Sequence, residues 1–258
     1  MSVSQALFAA TLALAMIGTY MGLTPPNDPA QTPEGQPEMP SGGDTIRRFR
    51  LTNKHTAKIT MLPLVIAALH TSLLALYYKG ADDDLPPWLL GHGAANGLNR
   101  DLITWSLQTS IPLALILVVG VPLRLISYTS LGANFTFTLT RPDTLSTTGI
   151  YRHVQHPSYT GLVVMLVSHA ALLARVDGVV ACCLVPPEWY PTAKALGIWV
   201  AAPAGAAMLM SGVWTRVWQE EKMLREYFGR EWEVWHSTTP RFLPSIIRSP
   251  VASPIKQP

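Results

Sequence analysis

The chain has 258 residues, a formal net charge of +3, 48% hydrophobic residues and 14% charged residues. Charged residues make up about a quarter of an ordinary soluble domain, so this composition excludes a disordered chain, a collagen-like chain and a disulfide-rich secreted module. The small net charge gives no sign of a nucleic-acid partner, and the adjacent Cys182 and Cys183 are badly placed to bridge each other and read as apolar packing residues.

A helix needs about 20 mostly apolar residues to cross a bilayer. The first such run, Ala6 to Leu23, has no basic leader and no small-x-small cleavage site, so it is expected to be a retained membrane helix. From Thr24 to Gly43 the sequence is rich in Pro, Gly and Gln and reads as a linker, with basic residues after it. The second run spans Ala57 to Tyr78. A polar loop holding Asp82, Asp83 and Asp84 leads to the third, Leu102 to Val121, which Pro112 and Pro122 are expected to kink or end. A fourth run, Gly161 to Val185, is interrupted by Arg175 and Asp177, which predicts one helix to Ala174 and a short hydrophobic return. The fifth spans Ala193 to Val213.

The expected fold is therefore all-α, a polytopic membrane helix bundle of about five spans with a cytosol-facing C-terminal catalytic region. Its parts are an N-terminal transmembrane helix (1–23), a linker (24–56), a transmembrane helical hairpin (57–121) and a C-terminal region with further membrane helices (122–258). Arg47, Arg48, Arg50, Lys54 and Lys58 precede the second run; Arg124, Arg141 and Arg152 follow the third; Arg216 to Arg248 close the chain. Basic loops favour the cytosol, so the 124–156 stretch and the C-terminus are expected there, with a lumenal N-terminus.

Two groups of residues could do chemistry. The first, Leu145 to Gly161, precedes the fourth run. Pro157 suits the first turn of a helix, whose free N–H groups attract an anion, and His156 and Tyr159 would flank that site. The plain alternative is a helix start with His and Tyr at the headgroup level. His153 and His156 lack a third ligand, so no metal is expected. In the second group Arg216 and Glu220 are spaced i,i+4 and share one helix face at the end of a membrane helix, where ionisable groups are paired or functional. Glu221, Lys222 and Arg225 read as a solvated face.

In this order the two groups resemble the isoprenylcysteine carboxyl methyltransferase family. The likeness begins at Arg124 and Leu131-Gly132. It passes through Thr144 to Tyr151 and His156-Pro-Ser-Tyr159, then resumes at Arg216, Glu220-Glu221 and Phe228 to Trp232, and closes at Pro240-Arg-Phe-Leu-Pro244. The resemblance implies a multi-pass enzyme of the endoplasmic reticulum membrane. Such an enzyme transfers methyl from S-adenosylmethionine to the α-carboxylate of the prenylated C-terminal cysteine of processed CaaX proteins. It implies cofactor contacts at Tyr151, His156, Pro157, Ser158, Tyr159 and Glu220, further contacts at Asp143, Thr144, Leu145 and Ser146, and a substrate contact at Arg216. The chain departs from the pattern at Gln155, where the family usually has Arg, and in a longer segment between the motifs, expected to add a helical hairpin. Two rivals are a phospholipid amine methyltransferase and a non-catalytic lipid-binding scaffold. An amine must lose a proton and gains nothing from Arg216, which favours the carboxylate.

Overall fold

The computed structural model describes residues 2–24, 26–27, 54–80, 85–135, 137, 139 and 142–244, and among them every regular element is helical. Most of the linker, the acidic triplet Asp82 to Asp84, and Arg47, Arg48, Arg50, Arg141 and Arg248 lie outside the described residues.

Helix α1 (Val3–Leu23) starts at a capping box, in which Ser2 Oγ accepts from the Gln5 N–H and the Gln5 side chain accepts from the Ser2 N–H. It packs along α2 (Lys54–Tyr77) through a seam that includes Phe8, Leu12 and Leu74. The outward faces are equally apolar, with Leu7, Leu14, Ile17 and Met21 exposed on α1 and Leu62, Ile66 and Leu69 on α2. Helices hydrophobic all round belong in a bilayer. Among the described residues three helical stretches are long and apolar enough to cross one, Val3–Leu23, Arg100–Asn134 and Tyr190–Phe228, and Met61–Tyr77 and Pro157–Leu173 are shorter apolar helices. The fold is a membrane helix bundle.

After the single turn α3 (Pro87–Leu90), the next membrane helix, expected to kink or end at its prolines, continues through both. It runs as α4 (Leu107–Ala114), a π turn (Leu115–Gly120) and α5 (Val121–Leu131), with Pro112 inside α4 and Pro122 in the first turn of α5. The wide turn, closed by a hydrogen bond from the Val121 N–H to the Ile116 carbonyl, absorbs the lost donor without breaking the helix.

Helix α6 (Pro157–Leu173) crosses this segment at two glycines. A Cβ on Gly161 would fall 2.8 Å from the Gly120 carbonyl oxygen and 3.1 Å from the Arg124 backbone nitrogen. Only hydrogen fits, a common device where membrane helices touch. Gly161→Ala is therefore expected to cost about 1–3 kcal/mol and to lower the thermal midpoint in detergent; an unchanged midpoint would show that the helices can separate freely.

At the far end of α6, Arg175 Nε and Nη2 donate to the two oxygens of Asp177 (2.8 and 2.7 Å), and Asn99 Nδ2 donates to Asp177 Oδ2 (2.9 Å). The Arg175 hydrogen bonds hold the Asp177 carboxyl down to about 2. Its stabilising contribution is full above the ordinary carboxyl range and is lost as pH falls towards 2. The thermal midpoint should drop over that window in the natural protein and less in Asp177→Asn; identical acid limbs would remove Asp177 as the cause.

Helix α7 (Val179–Leu184) is the predicted short return and buries Cys182 and Cys183 in the core. The following segment forms no hairpin. Helix α8 (Tyr190–Leu196), a second π turn (Gly197–Ala201) and α9 (Ala202–Phe228) make one continuous helix, because nothing polar interrupts the Ala- and Gly-rich run. Gly229, with φ +52°, turns the chain into the short α10 (Arg230–Thr238). Of two histidines within the apolar helices, the half-buried His70 bonds the Leu89 carbonyl across to α3, whereas the buried His169 bonds the Met165 carbonyl of its own helix.

Candidate functional site

The start of α6, the middle of α9 and the loop before α6 meet at the opposite end of the bundle from Arg175 and Asp177. Between them lies a cavity of about 600 Å³. Of the residues predicted from sequence, Thr144, Leu145, Ser146, Tyr151, His156, Ser158, Tyr159, Arg216 and Glu220 all line it. Asp143 is exposed and Pro157 is the first residue of α6, and neither lines the cavity.

Helical spacing accounts for the central contacts. Arg216 and Glu220 sit one turn apart on α9, and Tyr159 faces them from α6. The Tyr159 hydroxyl donates to Glu220 Oε2 (2.9 Å) and also meets the Arg216 guanidinium. Arg216, 5% exposed, donates from Nη2 to the Phe137 carbonyl (2.7 Å). Tyr151 belongs to a 3₁₀ turn (Gly149–Arg152); burial and the Glu220 carboxylate push its phenol up, so it stays neutral. The Trp235 indole donates to the Tyr151 carbonyl (3.1 Å) and closes that side.

Arg124 belongs to the same cavity; in the sequence it counts as a loop charge and as the start of the family likeness, and no site role is expected of it. It is 5% exposed. Its Nε donates to the Gly22 carbonyl (2.9 Å) and its Nη1 to Ser158 Oγ (2.6 Å), while the guanidinium lies over the rings of Tyr128 (5.1 Å) and Phe137 (5.4 Å). The Tyr128 hydroxyl also donates to the Gly22 carbonyl. Among the described residues, its hydrogen bonds thus go to neutral oxygens, so a buried cation faces the cavity with no carboxylate partner. The signal was present in the sequence: an arginine beside an apolar run, which is a functional candidate by default.

Glu221 corrects a second reading, because it is not part of a solvated face. It stands 3.2 Å from His156 Nε2 and accepts from Arg241 Nε and Nη2 at 2.6 and 3.0 Å. Neither partner is near in sequence, so local spacing gave no hint of them. The Glu221 hydrogen bond raises the already basic Arg241. Among the described residues no group of three His, Cys, Asp or Glu side chains is arranged to hold a metal ion.

The molecule is thus a membrane-type helix bundle with a cavity at one end, lined by charged side chains on one side and by apolar ones on the other. Residues 113–189, from α4 to the turn before α8, match the model of the Isoprenylcysteine carboxyl methyltransferase (ICMT) family. The segment holds Arg124, Tyr151, His156, Ser158 and Tyr159, whereas Arg216 and Glu220 lie beyond it. No curated protein and no solved structure matches the chain.

Proposed function

We propose that the protein is an S-adenosylmethionine-dependent methyltransferase that esterifies the α-carboxylate of a C-terminal prenylated cysteine. The observation that carries this reading is the charge inventory of the cavity. Two buried guanidiniums, Arg124 and Arg216, and one carboxylate, Glu220, face it. The two ligands together bring two carboxylates, one on the cofactor's methionine end and one on the substrate, and two cations, the cofactor's ammonium and its sulfonium, the latter discharged by the reaction itself. The lining away from the charges is apolar, with Leu64, Leu162, Leu166 and Met208 able to receive a prenyl chain.

The residues present fit the cofactor. Arg124, tied to Ser158 at the start of α6, has a buried positive charge without an acidic partner, and the free N–H groups of that helix start add to it. Glu220 offers an acceptor for an ammonium or a ribose hydroxyl. When bound, S-adenosylmethionine supplies an electrophilic methyl group on a sulfonium.

The protein then has three tasks. Arg216 holds the substrate carboxylate in a bidentate grip and orients one oxygen for attack. No residue need act as a base, since a terminal carboxylate has a pKa of about 3.5 and is ionised at neutral pH. The apolar wall limits water, which suits a reaction in which a cation and an anion combine into neutral products. The catalytic face would be cytosolic and the membrane that of the endoplasmic reticulum, in keeping with the basic 124–156 stretch and C-terminal segment.

The test is transfer of labelled methyl from S-adenosylmethionine by membranes containing the protein. N-acetyl-farnesylcysteine and phosphatidylethanolamine serve as parallel acceptors. Base-labile label on farnesylcysteine is expected. Label in the phospholipid alone would make the protein an amine methyltransferase, and no transfer with no cofactor binding would make it a scaffold.

A further inference from the structure

We propose that Gln155 and His236 are a positioning pair for this cavity: the Gln155 amide fixes the tautomer of His236, and His236 orients Arg241, Glu221 and His156. The inference rests on the reading of the cavity as a cofactor and substrate site.

Gln155 is 3% exposed, and both ends of its amide are used. Its Nε2 donates to the Thr239 carbonyl and to the His236 carbonyl (3.1 Å), while its Oε1 lies 2.8 Å from His236 Nδ1. Two carbonyls on one side and a ring nitrogen on the other leave the amide a single sensible orientation. Its oxygen can only accept, so the His236 proton sits on Nδ1. That leaves Nε2 as an acceptor, 3.4 Å from Arg241 Nη2. Arg241 in turn grips Glu221, and Glu221 faces His156 in the cavity wall. Donors and acceptors alternate without conflict from Gln155 round to His156.

The same residues strap the chain down. The N–H groups of Gln155 and His156 donate to the carbonyls of Pro240 (2.9 Å) and Arg241 (2.8 Å), and Thr160 Oγ1 donates to that of Phe242 (2.8 Å). With Thr239 bound by the Gln155 amide, four successive carbonyls are held against the start of α6. An arginine at position 155 has no acceptor to offer His236 and would set a second guanidinium near Arg241. The departure from the family pattern at Gln155 is thus matched by His236.

His236 stacks on Trp232 with ring centroids 4.2 Å apart. Charged and titratable groups face it from three elements: Glu221 and Arg225 of α9, His156 at the start of α6, and Arg241 of the strap. Burial disfavours its cation, Glu221 favours it, and Arg241, His156 and Arg225 oppose it, for a net lowering. A proton on Nε2 would remove the acceptor for Arg241 and place like charges together. With the folded value below the ordinary histidine value of about 6.5, the strap is fully held above that pH and loosens as pH falls through the lowered value.

The test uses the full chain in lipid nanodiscs, between about pH 8 and about pH 5. The first readout is hydrogen exchange at the Gln155 and His156 amides without cofactor, corrected for intrinsic rates. The second is the Kd for S-adenosylhomocysteine. In the natural protein the two amides should lose protection at least about fivefold across the histidine range. His236→Gln can still donate to Gln155 and accept from Arg241 but does not titrate, so its amides should stay protected throughout. Gln155→Ala should expose both amides at all pH values and raise the Kd about tenfold, the loss of one or two buried hydrogen bonds. An acid limb that persists in His236→Gln, or Gln155→Ala with unchanged exchange and affinity, overturns the pair. Exchange that follows the variants as stated, with no S-adenosylhomocysteine bound at any pH, supports the pair and overturns the cofactor reading.

Discussion

Replacing Arg216 with alanine is expected to lower kcat/KM for a prenylcysteine acceptor by at least about a hundredfold, because a charge-assisted bidentate grip is worth about 3 kcal/mol or more in a site shielded from water. The Kd for S-adenosylhomocysteine should change by less than about threefold, since the role proposed for Arg216 is to grip the acceptor and not the nucleoside. Arg216→Lys should recover only part of the loss. An ammonium is a point charge and cannot reproduce the planar fork that also reaches the Phe137 carbonyl. Steady-state kinetics beside equilibrium binding separate the two effects. Equal loss of turnover and binding would show that Arg216 supports the pocket as a whole and would remove its assigned role.

Arg124→Met should give the opposite signature. Methionine keeps an unbranched apolar stem but removes the guanidinium that lies over the rings of Tyr128 and Phe137, with its charge and its hydrogen bonds to Gly22 and Ser158. The Kd for S-adenosylhomocysteine should rise at least about thirtyfold, near 2 kcal/mol, the range for a hydrogen bond to a charged partner. The turnover of the saturated enzyme should change far less. A thermal unfolding curve recorded alongside guards against simple loss of fold, because Gly22 belongs to α1 and its carbonyl is shared with Tyr128. If Arg124→Met spares binding and Arg216→Ala destroys it, the two arginines have exchanged roles.

The two residues differ in how readily sequence exposes them. Arg216 and Glu220 are legible because one helical turn separates them, and the start of α6 is legible because Pro157 marks it. Spans could be counted from apolar runs. What could not be read are pairings between distant segments: Gln155 with Thr239, Glu221 with Arg241, Arg124 with Gly22. Each depends on which residues the packed helices bring together, and that is set by long-range contact. Arg124 was counted for its charge in the loop tally, which is a property of the residue alone, whereas its role comes from its burial. The continuous helix from Tyr190 to Phe228 was missed for a related reason: its apolar stretch fades into the polar stretch without a turn signal, and hydropathy marks only the first part.

The wide turn at Leu115–Gly120 also fixes the rotational phase of everything that follows it. An α-helix advances about 100° per residue. Deleting any one of those six residues would let the coil close into regular α geometry and swing Arg124 and Tyr128 round by about that angle, towards the lipid. Hydropathy, length and span count would be almost unchanged, and every named site residue would still be present in the gene. The deletion would damage the site by turning the Arg124 guanidinium out of phase with the rest of the pocket. In this segment of the chain, the number of residues between two landmarks matters as much as their identity.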